Sequence, residues 1–115
     1  MFGKYEITLH QIHDRITVRE GNDRLSLVVN GDPMRLVGGL NKAQKKMQEL
    51  NESATDEQII ECAEFFASVI FGDTQAKELM KFYADDPGCV ITLCGRYFKE
   101  RLADKLAKAQ KKLKT

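Results

Sequence analysis

The sequence is poor in the residues that usually carry chemistry. Among 115 residues there are two histidines, His10 and His13, and three cysteines, Cys62, Cys89 and Cys94. The cysteines are odd in number and spaced for neither a zinc knuckle nor a CxxC redox pair. They read as free thiols in a reducing compartment, with Cys62 and Cys94 set among apolar neighbours. No apolar run reaches the roughly 18 residues of a membrane span. The opening stretch MFGKYEITLHQIHD has charges where a signal peptide needs its apolar centre, so the expectation is a cytoplasmic protein. There is no large excess of either charge: 18 Lys and Arg face 17 Asp and Glu, for a net charge of +1. That balance speaks against a disordered acidic chain and against a strongly basic nucleic-acid binder as default classes. No internal repeat and no linker interrupts the chain, and the length together with 43% hydrophobic residues suits one domain with one core.

What is present begins as β. Tyr5, Ile7 and Leu9 alternate with polar residues, as do Ile16 and Val18, and then Leu25, Leu27 and Val29. This two-residue period predicts half-buried strands. EGND at 20–23 and NGDP at 30–33 supply turn residues, so a short antiparallel hairpin or meander is expected over about 1–37. The period then changes. Gly38–Gly39 reads as a breaker, Asn41 as an N-cap with Gln44 three residues on, and Leu40, Ala43, Met47 and Leu50 as one helical face. Thr55 and Gln58 form a second capping box. Asp56 and Glu57 there suit the positive end of the helix dipole, and Gly72 stops the helix after Phe71. Asp73 is placed to cap a short helix through Leu79, Met80, Phe82 and Tyr83. Asp86 with Pro87 opens a last helix that buries Val90, Leu93, Cys94, Tyr97 and Phe98. The fold class is therefore α+β, a β element followed by about four helices over about 40–113.

The second helix is the most apolar part of the chain. Ile59, Ile60, Cys62, Ala63, Phe65, Phe66, Val69, Ile70 and Phe71 cover more than the roughly 100° stripe of a one-sided surface helix. The helix is expected to be central, or buried against a second partner. Its acids Glu57, Glu61 and Glu64 share one face, which reads as solvated rather than as a paired-carboxylate or cation site. Two histidines three apart nominate no further metal ligands. Cys89, near a helix start where a thiol pKa can fall, lies in no nucleophile motif. VGGLNKAQKK lacks the GxxxxGK[ST] spacing of a phosphate loop. The expectation is a chain with no catalytic residues, no cofactor and no metal.

Charge is concentrated at the end. From Arg96 onward eight Lys and Arg stand against Glu100 and Asp104, a charge of +6, which leaves −5 for the rest of a chain of net +1. Lys105, Lys108, Lys111 and Lys112 form the basic tail. They fit a solvated helix end, a protein contact through the thin seam Leu102, Leu106, Ala109 and Leu113, or phosphate binding, although no aromatic is there to stack on bases. Beyond Leu102 the helix is expected to be exposed, frayed or reserved for a partner.

The order of features resembles the tail assembly chaperones of long-tailed siphophages and related prophages of Gram-positive hosts. LSLVVNGDPMRL is similar to the family's β element, CAEFFASVIFGDTQAKELMKFYAD to its apolar helix ending in FG followed by a short helix, and YFKERLADKLAKAQKKLKT to its charged final helix. The stretch from Leu25 to the end carries the likeness, and Ile70 to Asp73 (IFGD) is its most specific part. The resemblance implies a non-catalytic protein of the bacterial host cytoplasm that self-associates, binds the tape measure protein before the tail tube forms, and is absent from the mature virion. It implies binding through apolar faces: Phe65, Phe66, Val69, Ile70 and Phe71, with Leu79, Phe82 and Tyr83. The same residues would serve equally as the core of a four-helix domain, with Phe71 and Tyr83 the members expected to be exposed. The alternative function is a small phage-derived nucleic-acid-binding or regulatory module that uses the basic C-terminal helix.

Overall fold

The computed structural model describes residues 11–113, with the side chains from 110 onward left aside. Strands β1 (Ile12–Glu20) and β2 (Asp23–Gly31) pair antiparallel in one hairpin. The turn between them, Gly21–Asn22, uses a positive φ of 60° at Gly21, which glycine adopts without a Cβ penalty. The expected strand through Tyr5, Ile7 and Leu9 lies outside the described residues. The hairpin buries Ile12, Val18, Leu27 and Val29 on one face, as the alternation requires.

The helices are α1 (Pro33–Gln48), α2 (Asp56–Phe71), α3 (Asp73–Phe82), α4 (Gly88–Tyr97) and α5 (Ala103–Leu113). A π-helical turn, Phe98–Leu102, joins the last two into one continuous rod, so four helical rods follow the hairpin and the α+β class holds among the described residues.

Helix α1 starts earlier than the sequence pattern places it. Asp32 is the N-cap, its carboxylate accepting the Met34 N–H at 3.1 Å, and Pro33 takes the first helical position. NGDP is thus a cap followed by a helix-starting proline rather than a reverse turn. Gly38 and Gly39 do not break the helix, and Asn41 sits exposed within it instead of capping it. The reason at Gly39 is packing: a Cβ there would meet the Val69 Cγ1 at 2.7 Å, so glycine lets α1 approach α2 closely.

Helix α2 starts as expected. The Thr55 Oγ1 accepts the Gln58 N–H at 3.2 Å while the Gln58 Oε1 accepts the Thr55 N–H at 2.9 Å. It is central, touching α1, α3, α4 and β2, with Ala63 and Ala67 fully buried. Gly72, at φ 85°, serves both neighbouring helices: its N–H donates to the Ser68 carbonyl and its own carbonyl accepts from Ala76 N–H, each at 2.9 Å. Gly72, not Asp73, is the cap of α3. Asp73 instead accepts the Ser68 hydroxyl at 2.9 Å. The start of α4 falls one residue past Pro87, and the Asp86 carbonyl accepts the Cys89 N–H.

The final rod differs most from expectation. Its buried positions run Val90, Cys94, Tyr97, then Leu102, Leu106 and Ala109. The steps of four and three are interrupted by a single step of five, and the π turn sits on that step. One residue in excess of the α-helical period is absorbed there, so the seam keeps facing inward. Leu106 and Ala109 are covered, and α5 packs on α1 and β1 rather than standing free. One apolar cluster thereby links the hairpin with every helix.

The two adjacent glycines of α1 make opposite predictions. Gly39→Ala should cost about 1–3 kcal/mol in urea unfolding through overpacking against Val69. Gly38→Ala, with open space around its Cβ site, should be neutral or stabilise by about 0.5–1 kcal/mol.

Candidate partner-binding cleft

The apolar residues singled out from the sequence separate into two groups. Phe66, Ile70, Phe71 and Leu79 are buried, Leu79 completely. Phe71 is therefore not an exposed helix end. The Gly72 corner folds α3 back beside it, and its ring lies 6.0 Å from that of Tyr97. These four residues hold the core together and present no surface. Phe65, Val69, Phe82 and Tyr83 are half-buried. Val69 is occupied by Gly39, Phe65 lies beneath the Lys46 ammonium at 5.1 Å, and Phe82 meets Tyr83 edge-on at 5.1 Å.

Only Tyr83 of this set lines the cleft of about 480 Å³ between β1 and α4. Ile16 and Val18 come from β1, while Leu93 and Tyr97 come from α4. The rim is polar: Arg19 and Glu20 on one side, Thr92, Arg96 and Glu100 on the other, the last two paired at 2.9 Å. Burial pushes the Tyr83 hydroxyl pKa up, and the Glu20 carboxylate and Cys89 add to that, so the cleft holds a neutral phenol. An apolar wall with a mixed-charge rim is suited to receiving side chains of another polypeptide.

Beside the cleft is the one extended polar network of the described residues. The Asp14 carboxylate, its side chain only 6% exposed, accepts from the Tyr97 hydroxyl at 2.9 Å and from Arg101 at 2.9 and 2.8 Å through Nε and Nη2. Its Oδ1 also accepts the Arg15 backbone N–H at 2.9 Å. Burial raises the carboxyl pKa, but the Tyr97, Arg15 and Arg101 donors outweigh it and hold Asp14 below its ordinary value. Burial together with Asp14 moves the Tyr97 phenol upward.

The remaining polar candidates are dispersed. Glu57, Glu61 and Glu64 are exposed on the outer face of α2, and His13 is exposed on β1, whereas His10 lies outside the described residues. Among the described residues no three His, Cys, Asp or Glu side chains converge as a metal site. The thiols are not activated. Cys89 donates to the Asp86 carboxylate at 3.2 Å, which raises its pKa; burial raises Cys62 and pushes Cys94 up to about 12. In the tail, Lys105 is half-buried and Lys108 pairs with Asp104 at 3.0 Å. The side chains of Lys111 and Lys112 lie outside the described residues. Asp14, Leu93 and Arg101 did not emerge from the sequence as site residues. Asp14 carried a signal, being the one acid in the inward series Ile12, Asp14, Ile16, Val18.

No protein family, no curated protein and no solved structure matches the chain.

Asp14→Asn keeps the shape of the site and removes its charge. At pH 7 it should cost about 1.5–3 kcal/mol of unfolding free energy, the range for hydrogen bonds to a charged group. A depressed carboxyl contributes stability above its unfolded pKa of about 3.9 and loses it as pH falls through the folded value. Urea titrations of the two proteins should therefore converge below about pH 4, and a gap that is constant with pH would refute the charged role of Asp14.

Proposed function

We propose that the chain is a non-catalytic phage or prophage tail assembly chaperone that self-associates and binds the tape measure protein during tail morphogenesis. The observation that carries this reading is the cleft between β1 and α4, whose apolar wall of Ile16, Val18, Tyr83, Leu93 and Tyr97 is shared between the hairpin and the helices. A holding protein needs apolar side chains that its own core leaves partly open, and half-buried Ile16, Tyr83 and Leu93, backed by the buried Val18 and Tyr97, supply them here. The central helix ending at Gly72 and followed directly by a short helix, the arrangement behind the resemblance, supports the reading from the other side: it builds the core against which α4 is set. Val28, Met34 and Ile60 are exposed singly and carry no weight. The proposed place of action is the cytoplasm of the bacterial host, with the protein absent from the finished virion.

Light scattering on a sizing column, over a dilution series at low and high salt, should show oligomers that depend on protein concentration and persist in high salt. Leu93→Asp and Tyr83→Asp should weaken them and should reduce the amount of tape measure protein kept soluble on co-expression, with melting temperatures little changed. A monomer at every concentration, together with a tape measure protein that precipitates regardless of the chaperone, would overturn the reading.

A further inference from the structure

The outward face of the hairpin is not used by the core, and only its Thr17 and Arg19 reach the rim of the cleft. The two-residue turn closes on the pair Glu20–Asp23, so hydrogen-bonded and non-hydrogen-bonded pairs alternate along the ladder from there. Val28 falls at a non-hydrogen-bonded position, and its N–H and carbonyl are turned outward to the Gln75 side chain at 2.8 and 2.7 Å. By the same alternation Arg19 and Arg24 face each other as a non-hydrogen-bonded pair, the geometry in which opposed side chains come closest. Like charges placed directly opposite destabilise a sheet. Among the described residues no carboxylate pairs with Arg15, Arg19 or Arg24. The acids of the hairpin, Asp14, Glu20 and Asp23, belong by strand alternation to the other face or the tip.

The rest of the face is equally one-sided. His13, Arg15, Thr17 and Arg19 on β1 are exposed, as are Arg24, Ser26, Val28 and Asn30 on β2. This surface carries three guanidinium groups on the two described strands, with His13, Val28 and short hydroxyl and amide side chains among them. Arginine binds phosphate through paired N–H groups, where lysine offers a point charge. Arg15 and Arg19 stand about 13 Å apart along β1 at a rise of about 3.3 Å per residue, close to the ~12 Å width of a DNA major groove, which admits a two-stranded ribbon.

We propose that this face binds double-stranded nucleic acid, with Arg15, Arg19 and Arg24 on backbone phosphates and Thr17, Ser26 and Asn30 turned toward the groove. Charge complementarity selects the partner, because an arginine pair with no carboxylate beside it among the described residues is costly to the hairpin alone and favourable against a polyanion. The surface differs from the basic tail, where Lys108 is already paired and Leu106 and Ala109 of α5 are covered. It requires no association between copies of the chain.

The test is fluorescence anisotropy with a labelled DNA duplex of about 20 base pairs, titrated between about 50 and 200 mM salt, the range over which phosphate binding is read. Arg15→Ala/Arg19→Ala/Arg24→Ala should weaken binding about tenfold or more at low salt and reduce the slope of log affinity against log salt by roughly 2.7, about 0.9 for each phosphate no longer neutralised. The triple arginine-to-lysine variant should keep most of that slope, while Lys105→Ala/Lys108→Ala should leave it nearly unchanged. Thermal unfolding should show the alanine variant as stable as the parent or slightly more so, since repulsion is relieved. No duplex binding at low salt would overturn the proposal. So would an unchanged slope in the alanine variant, loss of binding with the tail lysines instead, or tighter binding to poly-glutamate or single strands than to the duplex.

Discussion

One nearly enclosed carboxylate ties the hairpin to the last helical rod. Asp14 comes from the first described strand, and its partners Tyr97 and Arg101 lie 83 and 87 residues further on, in the last helical rod. A carboxylate this enclosed is tolerated because donors surround it, and removing any one leaves a charge or a phenol short of a partner. The constraint reaches along the rod. Tyr97 and Arg101 must both face β1, while Leu102, Leu106 and Ala109 must face the core, and a regular α-helix would rotate one set away from its place. The π turn at Phe98–Leu102 reconciles them. The cleft adjoins the same arrangement, since Tyr97, which donates to Asp14, also lines it.

Local signals were legible where the physics was local. The EGND turn, the Thr55–Gln58 capping box and the stop at Gly72 each depend on residues within four positions of one another, and each is where its residues place it. What the sequence concealed depended on distant partners. Gly38–Gly39 reads as a breaker until Val69, thirty residues on, is seen to need the space. Asp32–Pro33 contains the same residues whether it ends a strand or starts a helix, and the choice is made by the helix that follows. Phe71 looks terminal in sequence, but the Gly72 corner returns α3 over it. In the tail, the lysines drew attention from the five-residue step between Tyr97 and Leu102, which was visible and marked the π turn.

Of the candidate site, the sequence offered residues by apolarity alone, and apolarity does not distinguish core from surface. Tyr83 was the one named residue that reached the cleft. Of the others there, Val18 and Tyr97 are buried and Ile16 half-buried as their patterns imply, whereas Leu93, expected to be buried, is half-buried, and which of them border open space is set by how β1 and α4 diverge, a tertiary quantity. The thiols and acids divide differently: burial and hydrogen bonding raise the cysteines, and the α2 carboxylates remain in water. Reactive chemistry of the thiolate kind is disfavoured by the same burial that builds the core.

The Gln75 side chain has a consequence for how hairpins of neighbouring molecules meet. By donating to and accepting from Val28 it occupies one residue of the outer edge of β2, and its Nε2 is anchored in turn on the Phe71 carbonyl at 2.7 Å. A sheet that lengthens molecule by molecule must offer a docking edge on both sides, one to receive and one to pass on. At Val28 the N–H and carbonyl of the outer β2 edge are already taken, so a strand arriving there would have to displace the Gln75 amide. The amide is thus a plug at one point of the β2 edge, a local obstacle to edge-to-edge growth.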